Sequence, residues 1–250
     1  MSTKTNNISF SDNNGQGALP IICLHSLAGQ HAHWAGTMAA LAPAQRVIAI
    51  DLPGHGGTPA ASDYSLPALV NWLDETIAAL GVAQFVLVGN SFGGTLAGAY
   101  AGQFPEKVAG LFLVDPSGDA GLIPEEQVAG LLAAMRAPGN EGFFRGYWEQ
   151  LLAGATPDTR EQVLADLAAM STDVMAAYLE KLFTYRPLPA LQRYSGPSHI
   201  LYTACTDLPN GLHQLLPQVP ASTIPGTSHW PQLDEPAAFE LQLRAFLQNF

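Results

Sequence analysis

Short apolar runs rich in β-branched residues alternate along this chain with longer segments whose apolar residues recur at helical spacing. Buried strands that alternate with helices are typical of a mainly parallel, twisted sheet with helices on both faces, so the predicted fold class is α/β. The predicted strands are Leu19–Leu24, Arg46–Ile50, Gln84–Val88, Gly110–Val114, His199–Thr203 and Ala221–Ile224, with Ile8–Phe10 as a candidate edge strand. The predicted helices of this part are Trp34–Leu41, Leu66–Leu80, Ser91–Phe104 and Pro236–Leu247.

The alternation stops between residues 119 and 191, where only helical patterns occur. The helices predicted there are Glu125–Arg136, Gly142–Leu152, Asp158–Met170 and Thr172–Phe183. A helical block inserted between two strands has to sit at an edge of the sheet or over its end, and its apolar faces must cover something. We therefore predict a core domain of residues 1–118 and 192–250, with residues 119–191 as a helical lid over a ligand pocket.

The charge of the chain excludes several classes of partner. Ten Lys and Arg stand against 21 Asp and Glu, which gives a net charge of −11, and the basic residues are scattered. Nucleic acid and membranes are therefore not expected as partners, and an uncharged small molecule is. The length of 250 residues suits one large domain, and we expect a monomer or a homodimer.

Neither a metal nor a cofactor is expected. No spacing of His, Cys, Asp and Glu has the form of a metal site, and no glycine-rich phosphate loop follows the first strand. Cys23 and Cys205 lie in predicted buried segments and are expected to be free thiols. The first residues carry no apolar run of the secretory type, so we expect a cytoplasmic location.

A glycine-rich turn around Ser91 carries the clearest chemical signal. The sequence Gly89-Asn90-Ser91-Phe92-Gly93-Gly94 follows an apolar run and opens a predicted helix. A serine on so sharp a strand-to-helix turn has a strained backbone, and its neighbours two positions away must lack side chains. This geometry lifts the hydroxyl clear of the sheet and puts the Phe92 amide at a helix start, where an oxyanion can bind. Ser91 is therefore the predicted nucleophile.

Several motifs follow one another along the chain: Leu24-His25-Ser26, Asp51-Leu52-Pro53-Gly54-His55-Gly56, the Ser91 turn, Asp207, and Gly226-Thr227-Ser228-His229-Trp230. In the order of these motifs, the chain resembles the α/β-hydrolase family over essentially its whole length. A nucleophile, an acid and a histidine in that order are the signature of the family. The resemblance implies a serine hydrolase with the α/β-hydrolase fold. The Asp51–Gly56 motif is expected to build a tight turn, without a catalytic role.

The resemblance also implies the partners of Ser91. His229 follows the last predicted strand, where the family places its base. Asp207 follows the strand His199–Thr203, in what looks like the acid loop of the family, and is the expected acid. Asp115 is the alternative, because it ends the strand Gly110–Val114, a position that some members use for the acid.

Two amides are expected to bind the oxyanion, since acyl transfer develops negative charge on a carbonyl oxygen. One is the Phe92 amide, and by family position the other is the Leu27 amide in the loop His25-Ser26-Leu27-Ala28-Gly29, where Ser26 replaces the usual glycine. The residues expected to line the substrate pocket are His25, Ser26, Phe143, Tyr147, Trp148 and Trp230.

The function expected first is a carboxyl-ester hydrolase that forms an acyl-enzyme and takes a small, largely apolar ester. Two alternatives use the same residues: a hydrolase of carbon–carbon bonds, or a lyase like those of menaquinone synthesis. Substrates of the carbon–carbon bond hydrolases bear carboxylates, so an arginine should enter the pocket, and Arg145 and Arg186 are the candidates. A non-catalytic ligand receptor is a third hypothesis.

Overall fold

A computed structural model describes residues 8–250 and contains one seven-stranded sheet. The strands are β1 (Phe10–Asp12), β2 (Ile21–Leu24), β3 (Val47–Ile50), β4 (Phe85–Asn90), β5 (Val108–Val114), β6 (Ser198–Tyr202) and β7 (Ala221–Thr223). Their order in the sheet is β1-β3-β2-β4-β5-β6-β7, and every pair is parallel except β1 with β3. The predicted α/β fold with a mainly parallel sheet is confirmed, and the edge strand lies slightly later than the predicted Ile8–Phe10.

Helices follow most of the strands, as parallel connections require. They are α1 (Ala35–Leu41), α2 (Leu66–Ala79), α3 (Phe92–Gln103), α4 (Glu125–Arg136), α5 (Glu141–Leu151), α6 (Pro157–Ala169), α7 (Thr172–Leu182), α8 (Leu188–Leu191), α9 (Leu212–Leu215), α10 (Pro231–Asp234) and α11 (Pro236–Leu247). Local sequence sets several of these starts. The Thr156 side chain accepts from the Thr159 amide, and Pro157 occupies the first turn of α6, where no backbone donor is needed.

Successive strand residues point to opposite faces of the sheet, so two apolar cores form. Ile22 and Leu24 of β2 pack in one core with α2, α3 and the inserted helices, and Ile21 and Cys23 pack in the other with α1 and α11. Both cores continue into β4 and β5 with the same alternation. The central strands are therefore covered on both faces of the sheet.

Helices α4–α7 form a helical insert between β5 and β6, as predicted. The insert touches the carboxyl ends of the strands through α5 and α7. The Tyr178 hydroxyl of α7 donates to the Pro53 carbonyl at 2.9 Å, and its ring meets the Phe92 ring edge-on. The Leu151 carbonyl at the end of α5 accepts from the His229 amide at 3.1 Å. The role of this insert as a lid stays a prediction.

Cys23 is buried, Cys205 is half-buried, and both are free thiols, as predicted. Among residues 8–250, no helix is both long enough and apolar enough to cross a membrane.

Candidate active site

Ser91 lies between β4 and α3 in the strained conformation that the sequence predicts. Its φ of 55° and ψ of −117° fall outside the ordinary regions for a side-chain-bearing residue, at a cost of about 1–3 kcal/mol. The Ser91 amide donates to the Val114 carbonyl at 2.9 Å, and its carbonyl accepts from the Thr95 amide at 2.9 Å. Because β5 and the first turn of α3 hold it on both sides, the strained turn persists.

The glycines around Ser91 are required by close backbone contacts. A Cβ on Gly89 would lie 2.3 Å from the Gly93 carbonyl oxygen. A Cβ on Gly93 would lie 2.5 Å from the Leu24 oxygen and 2.6 Å from the His25 oxygen. Real Cβ atoms do not approach backbone that closely, so both positions must lack a side chain.

His229, the predicted base, is buried beside Asp115. His229 Nδ1 is hydrogen-bonded to Asp115 Oδ2, while the backbone oxygen of His229 accepts from the Asn90 side-chain amide at 3.1 Å. Asp115 accepts three further hydrogen bonds: from the Thr203 amide at 2.7 Å, from the Thr203 hydroxyl at 2.9 Å, and from the Thr206 hydroxyl. A fully buried carboxylate needs such a set of donors, and it fixes the imidazole with Nδ1 protonated.

Asp207 does not reach His229, so the prediction that it orients the imidazole is wrong. Its carboxylate is exposed and accepts from His213 Nε2 at 3.0 Å and from Gln214 Nε2 at 3.4 Å. The loop after β6 turns back on itself, since the Asp207 amide donates to the Thr203 carbonyl at 3.0 Å, and carries Asp207 to the surface. That loop contributes the donors Thr203 and Thr206, while Asp115 at the end of β5 takes the place beside His229.

The loop after β2 holds its residues in a tight turn next to the Ser91 turn. The Gly29 amide donates to the Ser26 carbonyl at 3.0 Å, and Ala28 has a φ of 54°, in the left-handed region. Within residues 8–250, the Leu27 amide donates to no acceptor. The Phe92 amide is at the first position of α3, where no intrahelical acceptor exists. Both amides predicted for oxyanion binding are therefore available.

Two buried histidines support this loop. His55 Nε2 accepts from the Ala28 amide at 3.1 Å, and His25 Nε2 accepts from the Leu52 amide at 3.0 Å. Burial lowers the pKa of His55 to about 4, and burial together with the neighbouring His55 lowers the pKa of His25 well below its usual value. Both rings are therefore neutral at pH 7 and act as acceptors.

The Asp51–Gly56 motif forms a turn without a bond between Asp51 and His55. Asp51 accepts from the His31 amide at 2.6 Å and from the Gly57 amide at 3.0 Å. These hydrogen bonds tie the loop after β3 to the loop after β2.

A cavity of about 130 Å³ contains Ser91 and His229. Its other lining residues are Ser117, Gly118, Tyr147, Leu151, Cys205, Thr206, Leu208, Asn210 and Gly211. The Ser91 hydroxyl and the His229 ring are not hydrogen-bonded to each other in the described structure. Burial raises the pKa of Tyr147 to about 12, and burial, followed by the charge of Asp115, raises the pKa of the Cys205 thiol. Both groups are therefore protonated at neutral pH.

Of the six residues predicted to line the pocket, Tyr147 does so. His25, Ser26 and Trp230 are buried and do not line the cavity, and Trp230 Nε1 donates to the Ser26 hydroxyl at 2.8 Å. Trp148 is buried inside the insert, and Phe143 packs partly buried against the same core. None of these five residues lines the cavity. Trp148 follows Tyr147 on α5, and neighbouring residues on a helix point in different directions. His25, Ser26 and Trp230 point from their loops into the protein interior.

Asn90, Thr203 and Thr206 also belong to the site and were not predicted from the sequence. Asn90 connects the Val114 and His229 carbonyls through its side-chain amide, at 3.1 Å each. The two threonines bind Asp115 across the gap between β5 and β6. The sequence feature that could have indicated the two threonines is Asp115 at the end of a buried strand. A buried carboxylate needs hydrogen-bond donors, and the end of the neighbouring strand can supply them.

Residues 20–236 match the family model described as alpha/beta hydrolase fold, and the chain therefore belongs to that family. It is 28% identical over 265 residues to the sn-1-specific diacylglycerol lipase ABHD11 of Mus musculus, covering 96% of this chain and 85% of that protein. Over 182 residues it is 34% identical to the pimeloyl-[acyl-carrier protein] methyl ester esterase of Aeromonas hydrophila, covering 71% of this chain and 65% of that protein. The structure is similar to the enol-lactonase of Burkholderia xenovorans LB400, with a TM-score of 0.77, 20% identity and 96% of both chains covered, a likeness of fold alone. The chain is thus a hydrolase of this family with esterases and lipases among its relatives.

Proposed function

We propose that the protein is a serine carboxyl-ester hydrolase that takes a small, uncharged, largely apolar ester and works through an acyl-enzyme. One observation carries the proposal: the strained Ser91 and the Asp115-bound His229 line the same small cavity. A serine hydroxyl is a weak nucleophile and needs a base that a third group orients. Asp115, His229 and Ser91 supply these three roles.

In the proposed mechanism, Ser91 Oγ attacks the ester carbonyl carbon while His229 Nε2 accepts the hydroxyl proton. Asp115 keeps the proton on Nδ1 and stabilises the imidazolium that forms. The Leu27 and Phe92 amides donate to the developing oxyanion, each lowering the barrier by about 3 kcal/mol. The tetrahedral intermediate collapses, and the alcohol leaves with the proton from His229. Water, deprotonated by His229, then attacks the acyl-enzyme and releases the acid and Ser91.

The lining of the cavity favours an uncharged substrate. Ser117, Tyr147 and Asn210 offer uncharged hydrogen-bonding groups, and no Lys or Arg is found among the lining residues of the described structure. The net charge of −11 also disfavours an anionic substrate approaching the site. The two named relatives, a diacylglycerol lipase and a methyl ester esterase, act on esters, which supports the same reaction class.

The same lining disfavours the carbon–carbon bond hydrolase, whose substrates bear carboxylates. Arg145 and Arg186, the candidates for binding such a group, are exposed and lie outside the cavity. Arg145 borders a different hollow between α5, α6 and α7. Arg186 packs against Gly121, where a Cβ would lie 2.5 Å from its Nε.

The proposal is tested with p-nitrophenyl esters of two to eight acyl carbons. We expect turnover by the unaltered protein and its loss by at least about 10³-fold in Ser91→Ala, because the nucleophile is removed. Ser171→Ala is the matched control: this exposed serine precedes α7 and makes no cap hydrogen bond. A fluorophosphonate should label the unaltered protein and Ser171→Ala but not Ser91→Ala. Labelling without turnover of any ester would favour the alternative reactions, and absence of both would favour the receptor.

A further inference from the structure

We propose that Asp166, in the last turn of α6, is a positioning residue for the oxyanion loop, here Ser26 to Trp34. The inserted helices would then hold the Leu27 amide as well as border the substrate cavity. This inference rests on the proposed function, in which Leu27 donates to the oxyanion.

Asp166 binds two side chains of that loop with its two carboxylate oxygens. Oδ1 accepts from Gln30 Nε2 at 2.6 Å, and Oδ2 lies 2.7 Å from His33 Nε2. The carboxylate is only 15% exposed and the His33 side chain is fully buried, so solvent competes weakly for these bonds. A single side chain of the insert therefore fastens two loop positions that lie three residues apart.

The ring of His33 depends on this contact for its orientation. Its Nδ1 is buried and has no hydrogen-bond partner among the described residues. Within residues 8–250, the ring therefore forms a single hydrogen bond, from Nε2 to Asp166. The ring also lies directly under Gly29, since a Cβ on Gly29 would be 3.0 Å from Nδ1. A shift of His33 therefore displaces the turn that carries Leu27.

The loop needs support from outside because it stores strain. Ala28 has a φ of 54°, and a side-chain-bearing residue persists there when its surroundings determine the backbone. From the core side, His55 Nε2 accepts from the Ala28 amide at 3.1 Å. From the insert side, Asp166 supplies the opposing contact, so the turn is held between core and insert.

The test compares Asp166→Ala and Asp166→Asn with Glu161→Gln, a control at an exposed position of the same helix. With an ester that the unaltered protein hydrolyses, Asp166→Ala should lower kcat about 10–100-fold and change KM less than about threefold. The reason is that a displaced oxyanion donor weakens the transition state more than the bound substrate. Asp166→Asn keeps an acceptor for Gln30 and should recover part of kcat. Glu161→Gln should be unchanged.

Amide hydrogen exchange of the peptide covering residues 24–34 provides a readout that does not need turnover. Asp166→Ala should speed exchange there at least about fivefold, while the peptide covering β4 stays protected. Asp166→Asn serves the same comparison if the alanine variant does not fold.

The two proposals fail in different ways. A kcat within twofold of normal in both Asp166 variants, or unchanged exchange at residues 24–34, would overturn the role of Asp166 and leave the ester hydrolase standing. Absence of Ser91-dependent turnover in the unaltered protein would instead remove the proposed function, and the oxyanion role of Asp166 with it.

Discussion

The carboxyl ends of the central strands and the inserted helices α4–α7 are built in opposite ways. At the strand ends, Ala28, Ser91 and Asp115 all have positive φ values and are buried. In the insert, the polar contacts include exposed ion pairs such as Arg136 with Glu180 at 2.7 Å. Exposed ion pairs contribute about 0–1 kcal/mol, whereas strained buried backbone persists only under close packing.

Because the two regions are built differently, we expect them to differ in their sensitivity to substitution. The strand ends hold Ser91 and the proposed acid Asp115 between two apolar cores, since both faces of the sheet are covered. The insert shares one apolar core with the strands, and its polar contacts with the loops at the strand ends include Tyr178 with Pro53, Leu151 with His229, and Asp166 with the loop after β2. Substitutions should therefore be severe at the strand ends and mild at the exposed positions of the insert.

The largest expected effect separates the two aspartates. Asp115→Asn should lower kcat about 10⁴-fold, because an amide beside Nδ1 no longer selects the required tautomer or stabilises the imidazolium. Asp207→Asn should leave kcat within twofold, because its exposed carboxylate contacts His213. Steady-state kinetics on one ester measures both variants. Equal losses in the two variants would contradict the assignment of the acid.

A smaller effect is expected on stability at two glycines. Gly93→Ala places a Cβ against the Leu24 and His25 carbonyls and should lower the free energy of unfolding by at least about 3 kcal/mol. Gly146→Ala in α5 meets nothing within 4 Å and should be neutral or stabilising by up to about 1 kcal/mol. Urea unfolding measures the difference. Similar values for the two variants would show that the strand ends are no tighter than the insert.

The next effect is a loss of stability in acid. The pKa values of His25 and His55 are lowered by burial, that of His55 to about 4, while in the unfolded chain both are near 6.5. As the pH falls from about 6.5 towards 4, the unfolded chain binds protons that the folded protein does not, so the free energy of unfolding falls. We expect His55 to contribute a decrease of about 1–3 kcal/mol between pH 7 and pH 4.5.

Urea unfolding at several pH values tests this contribution. His55→Gln should make the unfolding free energy less dependent on pH, because it removes a buried group whose pKa is lowered in the folded protein. All seven histidines lie outside the insert, so this acid sensitivity belongs to the core. An unchanged pH dependence in His55→Gln would contradict it.

The smallest effect is expected at the two arginines of the insert region. Arg145→Ala and Arg186→Ala should each change kcat/KM for an uncharged ester less than about twofold, because both side chains are exposed and lie outside the Ser91 cavity. Stability should change by less than about 0.5 kcal/mol. A large loss in either variant would show that the insert reaches the substrate with a charge, and would favour a carboxylate-bearing substrate.

The fold followed from local pattern to a large extent. Predicted strand and helix bounds differ from the observed ones by a few residues, for example Gln84–Val88 against Phe85–Asn90. The Ser91 turn could also be predicted from the sequence, because a strand, two glycines and a helix of small residues are all local features. The residues that line the pocket could not be predicted in this way. His25, Trp148 and Trp230 have side chains suited to binding a substrate, but they are buried away from the cavity.

The sheet and the strained serine could be predicted from the amino acids alone, because backbone geometry and apolar periodicity act over a few residues, while His229 was expected from the family resemblance. The choice between Asp115 and Asp207 required the folded structure. Both follow strands of the sheet, and what separates them is whether the next strand offers donors to a buried carboxylate. Thr203 and Thr206 do so for Asp115, across about 90 residues of intervening chain.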